Sequence, residues 1–418
     1  MGYIDLKYEP RKDLVCEFYI EPNRGNTIRD AAEQVAGESS VGTWTEVHTN
    51  KPYMKKLAPK VFSINGNFVK IAYSCDLFEP GNVPQILSSV AGNIFGMKLI
   101  NHLKLYDISL PEEIVKSFQG PKYGVRGVRE LLKVPDRPLV GTIIKPKLGL
   151  RTADHAKVAY DAWYGGCDIV KDDENLTSQR FNPFGERVAD TLNMRDKAEY
   201  DTGEKKVYMP NITAECDEML ERLDHVKSHG GRYVMIDVLT CGFSALQTVR
   251  KHSKGLVIHA HRAMHAAVTR DPKHGISMLV LAKLCRLIGV DQIHIGTVVG
   301  KMHGERQEVE NIRQGIEGMS VKKDLVEHVL EQRWYDIKPT FAVCSGGLHP
   351  GHVPKLMEYL GRNIIIQMGG GIHGHPEGTR TGAKAARQAV SAVMQKKSLE
   401  EYSKTHRELR LALKEWGY

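Results

Sequence analysis

The chain has 418 residues, 41% of them hydrophobic and 26% charged, with a formal net charge of +8 at pH 7. That length accommodates two domains or one large one, and the composition is that of a globular enzyme, not of a disordered or fibrous chain. No apolar run is long enough to span a bilayer and the opening Met1–Pro10 lacks a signal-peptide core, so no membrane partner and a cytoplasmic location are expected.

Residues 1 to about 135 mix alternating strands (Leu14–Ile20, Val61–Ile64, Phe68–Tyr73) with helices near Asn26–Ala36 and Val83–Ala91, an α+β module. From Leu139 onward, short and nearly continuous apolar runs recur between helical stretches: Leu139–Ile144, Ile169–Lys171, Val207–Met209, Tyr233–Val238, Leu256–Ile258, Gln292–Ile295, Phe341–Val343 and Ile364–Met368. Runs of that kind are buried parallel strands. Eight of them over about 250 residues predict a (β/α)₈ TIM barrel over 136–418, an α/β fold preceded by the smaller domain of 1–135. No GxGxxG follows the first strand, which argues against a dinucleotide fold. The tail from about Thr379 to Trp416 reads as helical and closes the barrel exterior. Seven scattered cysteines (Cys16, Cys75, Cys167, Cys216, Cys241, Cys285, Cys344) never form a CxxC pair and read as reduced core residues. The basic residues are dispersed, which predicts no nucleic-acid partner and a pocket for an anionic small molecule.

A barrel demands that polar residues gather at the carboxyl ends of its strands. They do so here: Lys145 and Lys147 after the first strand, Lys171, Asp173 and Glu174 after the second, Asn211 and Thr213 after the third, Asp237 after the fourth. The fifth brings His259, His261, Arg262 and His265; the sixth brings His294 and the glycine-punctuated Gly296–Gly304 with Lys301. The seventh ends in Ser345, Gly346 and Gly347, and the eighth in Gln367, Gly369 and Gly370. Chance would scatter charge evenly along each repeat.

The densest of these stretches is Gly166–Glu174, G-C-D-I-V-K-D-D-E. Alternation along the strand puts Lys171 and Asp173 on one side, with Glu174 at the strand mouth. Two carboxylates suit a hard divalent cation such as Mg²⁺, which keeps positions open for substrate. A lysine beside them becomes an oxygen ligand if CO₂ converts its amine to a carbamate; the alternative is a salt-bridged strand end. His259 and His261 form an HxH pair, which is also a metal-ligand pattern. Glycines at Ser345–Gly347 and Gly369–Gly370 let backbone N–H groups approach phosphate, and two such cradles suit a bisphosphate.

Together these segments resemble the large chain of ribulose-1,5-bisphosphate carboxylase/oxygenase (RuBisCO). The resemblance runs through Glu38-Ser-Ser-Val-Gly-Thr43-Trp44, Gly92-Asn93-Ile-Phe-Gly96, Lys145-Pro-Lys147-Leu-Gly149, Gly165–Asn175, His261-Arg262-Ala-Met-His265, Gly296–Lys301, Ser345–Gly347 and Gln367–Gly371, almost the whole chain. Ile143 two before Lys145 and a short N-terminus look more like the archaeal form III group or the bacterial form II than the plant enzyme, while Met302 stands where a leucine usually follows the loop lysine, which implies altered discrimination between CO₂ and O₂.

The resemblance implies Mg²⁺ held by carbamylated Lys171, Asp173 and Glu174, with the carbamate removing the C3 proton of ribulose 1,5-bisphosphate. It implies that Lys145 exchanges a proton with substrate, that His261 is an acid/base, and that Lys301 stabilises charge as CO₂ adds. Arg262, Ser345, Gly346, Gly347, Gln367, Gly369, Gly370 and Lys147 would bind substrate. His294 is either a second phosphate contact or a satisfied core histidine, and His265 a structural one. Glu38, Thr43, Trp44 and Asn93 would complete the partner subunit's site, making a homodimer or a ring of dimers with no small subunit. The expected reaction joins CO₂ to the bisphosphate to give two 3-phosphoglycerates, with O₂ competing as an oxygenase substrate and a place in archaeal AMP or nucleoside salvage. A RuBisCO-like enolase or isomerase of sulfur salvage and a non-catalytic binding protein are the other readings. Relatives of the first kind usually lose several substrate positions, and none is lost here.

Overall fold

The eight apolar runs are strands in the computed structural model, which describes residues 2–43, 45, 48–299 and 306–418. In chain order they are Leu139–Ile143, Ile169–Lys171, Val207–Met209, Tyr233–Asp237, Val257–His261, Gln292–Gly296, Phe341–Ser345 and Ile364–Gln367. They pair in parallel in the order third, second, first, eighth, seventh, sixth, fifth, fourth. The third and fourth strands, at the two ends of that order, meet through one bridge, Asn211 to Met235. There Ile212 N donates to Met235 O (3.0 Å) and Met235 N to Pro210 O (2.9 Å). Pro210 has no N–H to continue the ladder, which is why the closure is a bridge and not a full strand pair. Leu139, Ile169, Val207, Met209, Tyr233, Met235, Val257, Phe341, Val343 and Ile365 form one buried cluster. The barrel is therefore filled, as the fold requires.

The barrel belongs to a compact unit made of Pro121–Ala263, Gly289–Glu317 and Pro339–Tyr418. Its start at Pro121 differs from the expected boundary near 135, and the reason is burial. The helix Gly124–Leu132 contributes Val128 and Leu132 to the barrel cluster. Tyr123 N and Gly124 N also donate to Asp291 Oδ1 (2.7 and 3.1 Å) just before the sixth strand. The tail is helical, as expected, over Thr379–Met394, Leu399–Ser403 and Arg407–Trp416. Its first helix packs so closely on Thr152–Gly165 that a Cβ on Gly165 would lie 2.2 Å from Arg380 O. Only glycine fits there.

The other unit comprises Met1–Gly120, Met264–Ile288 and Gly318–Lys338. Its five-stranded sheet runs in the order Gly275–Ile276, Ile100–Ser109, Leu14–Pro22, Phe68–Tyr73, Lys60–Asn65. All pairs are antiparallel except the first. The helix Ile28–Glu38 starts at a capping box in which Thr27 and Asp30 satisfy each other's backbone N–H. Ile100–Ser109 escapes the alternation pattern because it buries charge: Asp107 accepts from Lys283 at 2.6 and 2.7 Å, both side chains fully enclosed. The cysteines are all unpaired. Cys16, Cys167, Cys285 and Cys344 are core residues, whereas Cys216 is exposed at the first turn of Cys216–Ser228, against the expectation for it.

Candidate active site

Gly166, at φ 122°, ends the preceding helix in a conformation that glycine adopts without strain, and the chain enters the second barrel strand. Lys171 is fully buried. Its Nζ donates to Asp172 O (2.8 Å) and Met235 Sδ (3.4 Å) and lies 4.0 Å from Glu174 Oε2. Burial pushes its amine below the usual lysine range; Glu174, Asp173 and Asp237 oppose that shift and Lys145 adds to it.

Asp172 turns the opposite way, as strand alternation requires. It accepts from Tyr208 Oη (2.7 Å), Asn211 N (2.9 Å) and Arg187 Nε (3.2 Å), with His155 Nε2 at 3.1 Å. Burial alone would raise its pKa, but Arg187 and His155 outweigh that and hold it at about 2. The residue between the two expected ligands is thus an anchor, and it fixes the strand end that presents Lys171 and Asp173.

Asp173 and Glu174 face the barrel mouth. Lys145 Nζ donates to Asp173 Oδ2 (2.6 Å), while Asn175 N and Nδ2 donate to Oδ1 (3.1 and 2.9 Å). Glu174 has Lys147 Nζ at 3.4 Å and His261 Nε2 at 3.7 Å. Burial raises its carboxyl, yet His261 and Lys171 bring the net value down to about 2. His261 Nδ1 stands 3.3 Å from Asp237 Oδ1, whose other oxygen accepts from Thr213 Oγ1 (3.2 Å) and Asn211 Nδ2 (3.3 Å). The expected residues Lys145, Lys147, Lys171, Asp173, Glu174 and His261 are therefore neighbours. Asp237, visible in the sequence only as one more strand-end carboxylate, lies beside His261, whose Nδ1 accepts from Ala263 N (3.2 Å).

The fifth, sixth and seventh strands bring a second set together. His259 is buried, with Nδ1 3.3 Å from Gln292 Oε1 and Nε2 2.9 Å from His294 Nε2. His294 Nδ1 is 2.7 Å from Ser345 Oγ. Both ring nitrogens of His294 thus have partners inside the barrel. His259 and His261 share a strand but differ in role, the first facing the barrel interior and the second facing Glu174. Arg262 is part-buried beside Gly296, and among the described residues its guanidinium has no hydrogen-bond or ion-pair partner. Burial brings it down to about 10, with Glu308 opposing.

Gly346 and Gly347 have φ of 124° and 69°, which other residues rarely adopt. A Cβ on Gly369 would come within 3.1 Å of Lys145 Cε. Gln367 is buried, and among the described residues neither amide atom has a hydrogen-bond partner. His373, unremarked in the sequence, lies 2.9 Å from Thr142 Oγ1 and 3.0 Å from Thr379 Oγ1.

Glu38, at the end of its helix, and the exposed Thr43 and Asn93 belong to the smaller unit, as does His265, whose Nδ1 is 3.0 Å from Thr269 Oγ1. Trp44, Lys301 and Met302 lie outside the described residues. Among the described residues no three His, Cys, Asp or Glu side chains converge to hold a cation by themselves, and no helix is long and apolar enough to cross a membrane.

The chain matches the family description "Ribulose bisphosphate carboxylase large chain, catalytic domain" over residues 124–416 and its "N-terminal domain" over residues 2–114. A ribulose bisphosphate carboxylase of Methanocaldococcus jannaschii is 54% identical, covering 100% of both chains, and one of Methanosarcina barkeri is 52% identical over 99% of this chain and 98% of that one. Among solved structures, a dimeric archaeal Rubisco from Hyperthermus butylicus superposes with a TM-score of 0.94 at 44% identity, covering 100% of this chain and 99% of that one. An octameric Rubisco from Pyrococcus horikoshii, in complex with sulfate ion, does so at 0.92 and 46% identity, covering 99% and 96%. The motifs, the near-closed eight-stranded sheet and these relatives agree, and the chain belongs to the RuBisCO large-chain family.

Proposed function

We propose that this chain is a ribulose-bisphosphate carboxylase, in which CO₂ adds to C2 of ribulose 1,5-bisphosphate and one water cleaves the product into two 3-phosphoglycerates. The observation that carries the reading is Lys171: a fully buried amine, shifted toward its neutral form, beside two carboxylates at a barrel mouth. A neutral amine attacks CO₂; the N–C bond forms, a proton leaves, and the resulting carbamate adds an oxygen donor to those of Asp173 and Glu174. The donor set then fits Mg²⁺, because two carboxylates and a carbamate are the hard oxygen ligands that this ion prefers. Mg²⁺ held there would supply Lewis-acid polarisation of the substrate ketone.

The chain's own groups divide the remaining work. Carbamylated Lys171 accepts the C3 proton, Lys145 exchanges a proton with the resulting enediolate, and His261, beside Asp237, serves as a further acid/base. Lys301 offsets the charge that develops as CO₂ adds, and Glu38 of a partner copy positions it. Arg262, with no internal partner among the described residues, takes one phosphate. Ser345, Gly346, Gly347, Gln367, Gly369 and Gly370 take up the phosphates through backbone N–H groups and short side chains, with Lys147, His294, Thr43, Trp44 and Asn93 completing the pocket. The minimal assembly would be a homodimer with two shared sites, alone or in a ring, without a small subunit. Oxygenase activity, a cytoplasmic location and a role in archaeal AMP or nucleoside salvage complete the reading.

The test is fixation of labelled CO₂ into acid-stable product with Mg²⁺ and ribulose 1,5-bisphosphate. Preincubation with CO₂ and Mg²⁺ should raise the wild-type rate, and Lys171→Met should abolish it. Absence of fixation by the wild type would overturn the reading; full activity in the mutant would overturn the carbamate.

A further inference from the structure

Four side chains from three strands form a continuous hydrogen-bonded row inside the barrel: Gln292, His259, His294 and Ser345, with contacts of 3.3, 2.9 and 2.7 Å. Burial holds both imidazoles neutral; charge from Lys171 and His261 adds to this at His259, and from His261 and His259 at His294. A neutral imidazole has one donor nitrogen and one acceptor. The polarity of the whole row therefore follows from one end. Gln292 Oε1 accepts, so His259 carries its hydrogen on Nδ1 and accepts at Nε2. His294 must then donate from Nε2 and accept at Nδ1, which takes the hydroxyl hydrogen of Ser345. In this state Ser345 has no hydrogen left for an anion. Gln292 alone can reverse the row, because an amide carries a donor as well as an acceptor and its buried Nε2 has no hydrogen-bond partner among the described residues.

We propose that Gln292 and His259 are positioning residues that set the hydrogen-bond polarity of Ser345. When a phosphate group binds, the Gln292 amide turns, both imidazoles exchange tautomer, and Ser345 Oγ–H donates to the anion while accepting from His294 Nδ1. The row holds the same number of hydrogens before and after. Ser345 hands its hydroxyl hydrogen to His294 Nδ1 and takes another from water at the mouth. His294 hands its Nε2 hydrogen to His259 Nε2, and His259 releases its Nδ1 hydrogen to water before the turned Gln292 Nε2 donates there. The inference rests on the assignment of Ser345 to substrate phosphate made above.

The direct readout is nitrogen NMR of the full-length protein with labelled histidine, alone and saturated with inorganic phosphate; His259→Gln and His294→Gln variants assign the signals. The expected result is protonated Nε2 on His294 in the free protein and protonated Nδ1 in the complex, with His259 switching in parallel. Ser345→Ala should bind phosphate without any tautomer change. Unchanged tautomers in the saturated wild type would overturn the proposal, as would the same switch in Ser345→Ala. Gln292→Met adds a kinetic test. It removes the acceptor that holds the free state, so KM for ribulose 1,5-bisphosphate should fall, by up to about tenfold for one charge-assisted hydrogen bond no longer opposed, with kcat within about twofold. A purely structural role would lower the active fraction and leave KM where it was. A wild type that turns over the bisphosphate, beside a Gln292→Met variant of unchanged KM, refutes the relay alone; a wild type with no turnover refutes the functional reading instead.

Discussion

Replacing Asp172 by asparagine tests whether the carboxylate hidden between Lys171 and Asp173 is an anchor. It keeps the shape of the side chain and removes the charge that faces Arg187. Both residues are fully buried, and Asp172 is held at about 2 by Arg187 and His155 against the effect of burial. Removing one partner of a buried ion pair typically costs about 3–5 kcal/mol, because the remaining charge is left uncompensated. For a unit of this size each kcal/mol is worth roughly 2–4 °C of melting temperature, so Asp172→Asn should melt on the order of 10 °C below the wild type. Adding Arg187→Met removes the stranded charge. Arg187 also donates to Asn182 O (2.8 Å) and Thr177 O (2.5 Å), so recovery should be partial. The double variant should be more stable than the sum of the two single losses by about 1–3 kcal/mol. Thermal unfolding by circular dichroism reads all four proteins. A single variant that melts within about 2 °C of the wild type, or strictly additive losses, would refute the anchor.

Three further outcomes follow from the site. Mixing Glu38→Gln chains with Lys171→Met chains, each inactive alone, should restore activity in heterodimers, since one of the two sites is then entirely wild type; no recovery in verified heterodimers means each chain builds its own site. Lys301→Ala should lose carboxylation yet keep exchange of the substrate C3 proton with solvent tritium, whereas Lys145→Ala should lose both, because only the second is needed for enolisation. His373 is brought down to about 4 by burial, with Lys145 adding to the shift and a backbone hydrogen bond opposing it. The folded state thus binds fewer protons than the unfolded chain, so its contribution is complete above the ordinary histidine range near pH 6.5. It is lost as pH falls from about 6.5 to 4, at a cost of roughly 3 kcal/mol. His373→Gln should show a smaller drop in urea-unfolding free energy between pH 7.5 and 4.5 than the wild type, and an equal drop would sink the argument.

The barrel is legible in the sequence because each parallel strand is buried on both faces and reads as an apolar run. The fifth strand is the exception: its apolar run, Leu256–Ile258, stops short of the observed Val257–His261. His259 and His261 look like a strand mouth in sequence, but inside the barrel His259 is satisfied by partners on neighbouring strands. The strand Ile100–Ser109 is hidden for a related reason, since Asp107 breaks the apolar pattern unless Lys283, distant in the chain, is known to face it. The Lys171–Glu174 cluster is readable because its members are local. Asp172 as an anchor and the row from Gln292 to Ser345 are not, because their partners lie 15 to 39 and 33 to 51 positions away.

The histidines show how such partners decide chemistry that spacing leaves open. An HxH pair on a barrel strand reads equally as a ligand set for a softer ion such as zinc and as something else. In the folded chain His259 spends both nitrogens on Gln292 and His294, and His294 spends both on His259 and Ser345. His261 has Nδ1 against Asp237 and only Nε2 toward the mouth. One imidazole nitrogen falls short of the two or three histidine or cysteine donors that protein zinc sites commonly carry. What faces the mouth instead is oxygen, from Asp173 and Glu174, beside an amine that burial shifts toward the neutral form that CO₂ consumes. Commitment of the histidines to each other thus leaves carboxylate chemistry as what the mouth can offer a cation, and under the proposed carbamate a third oxygen donor would depend on Lys171.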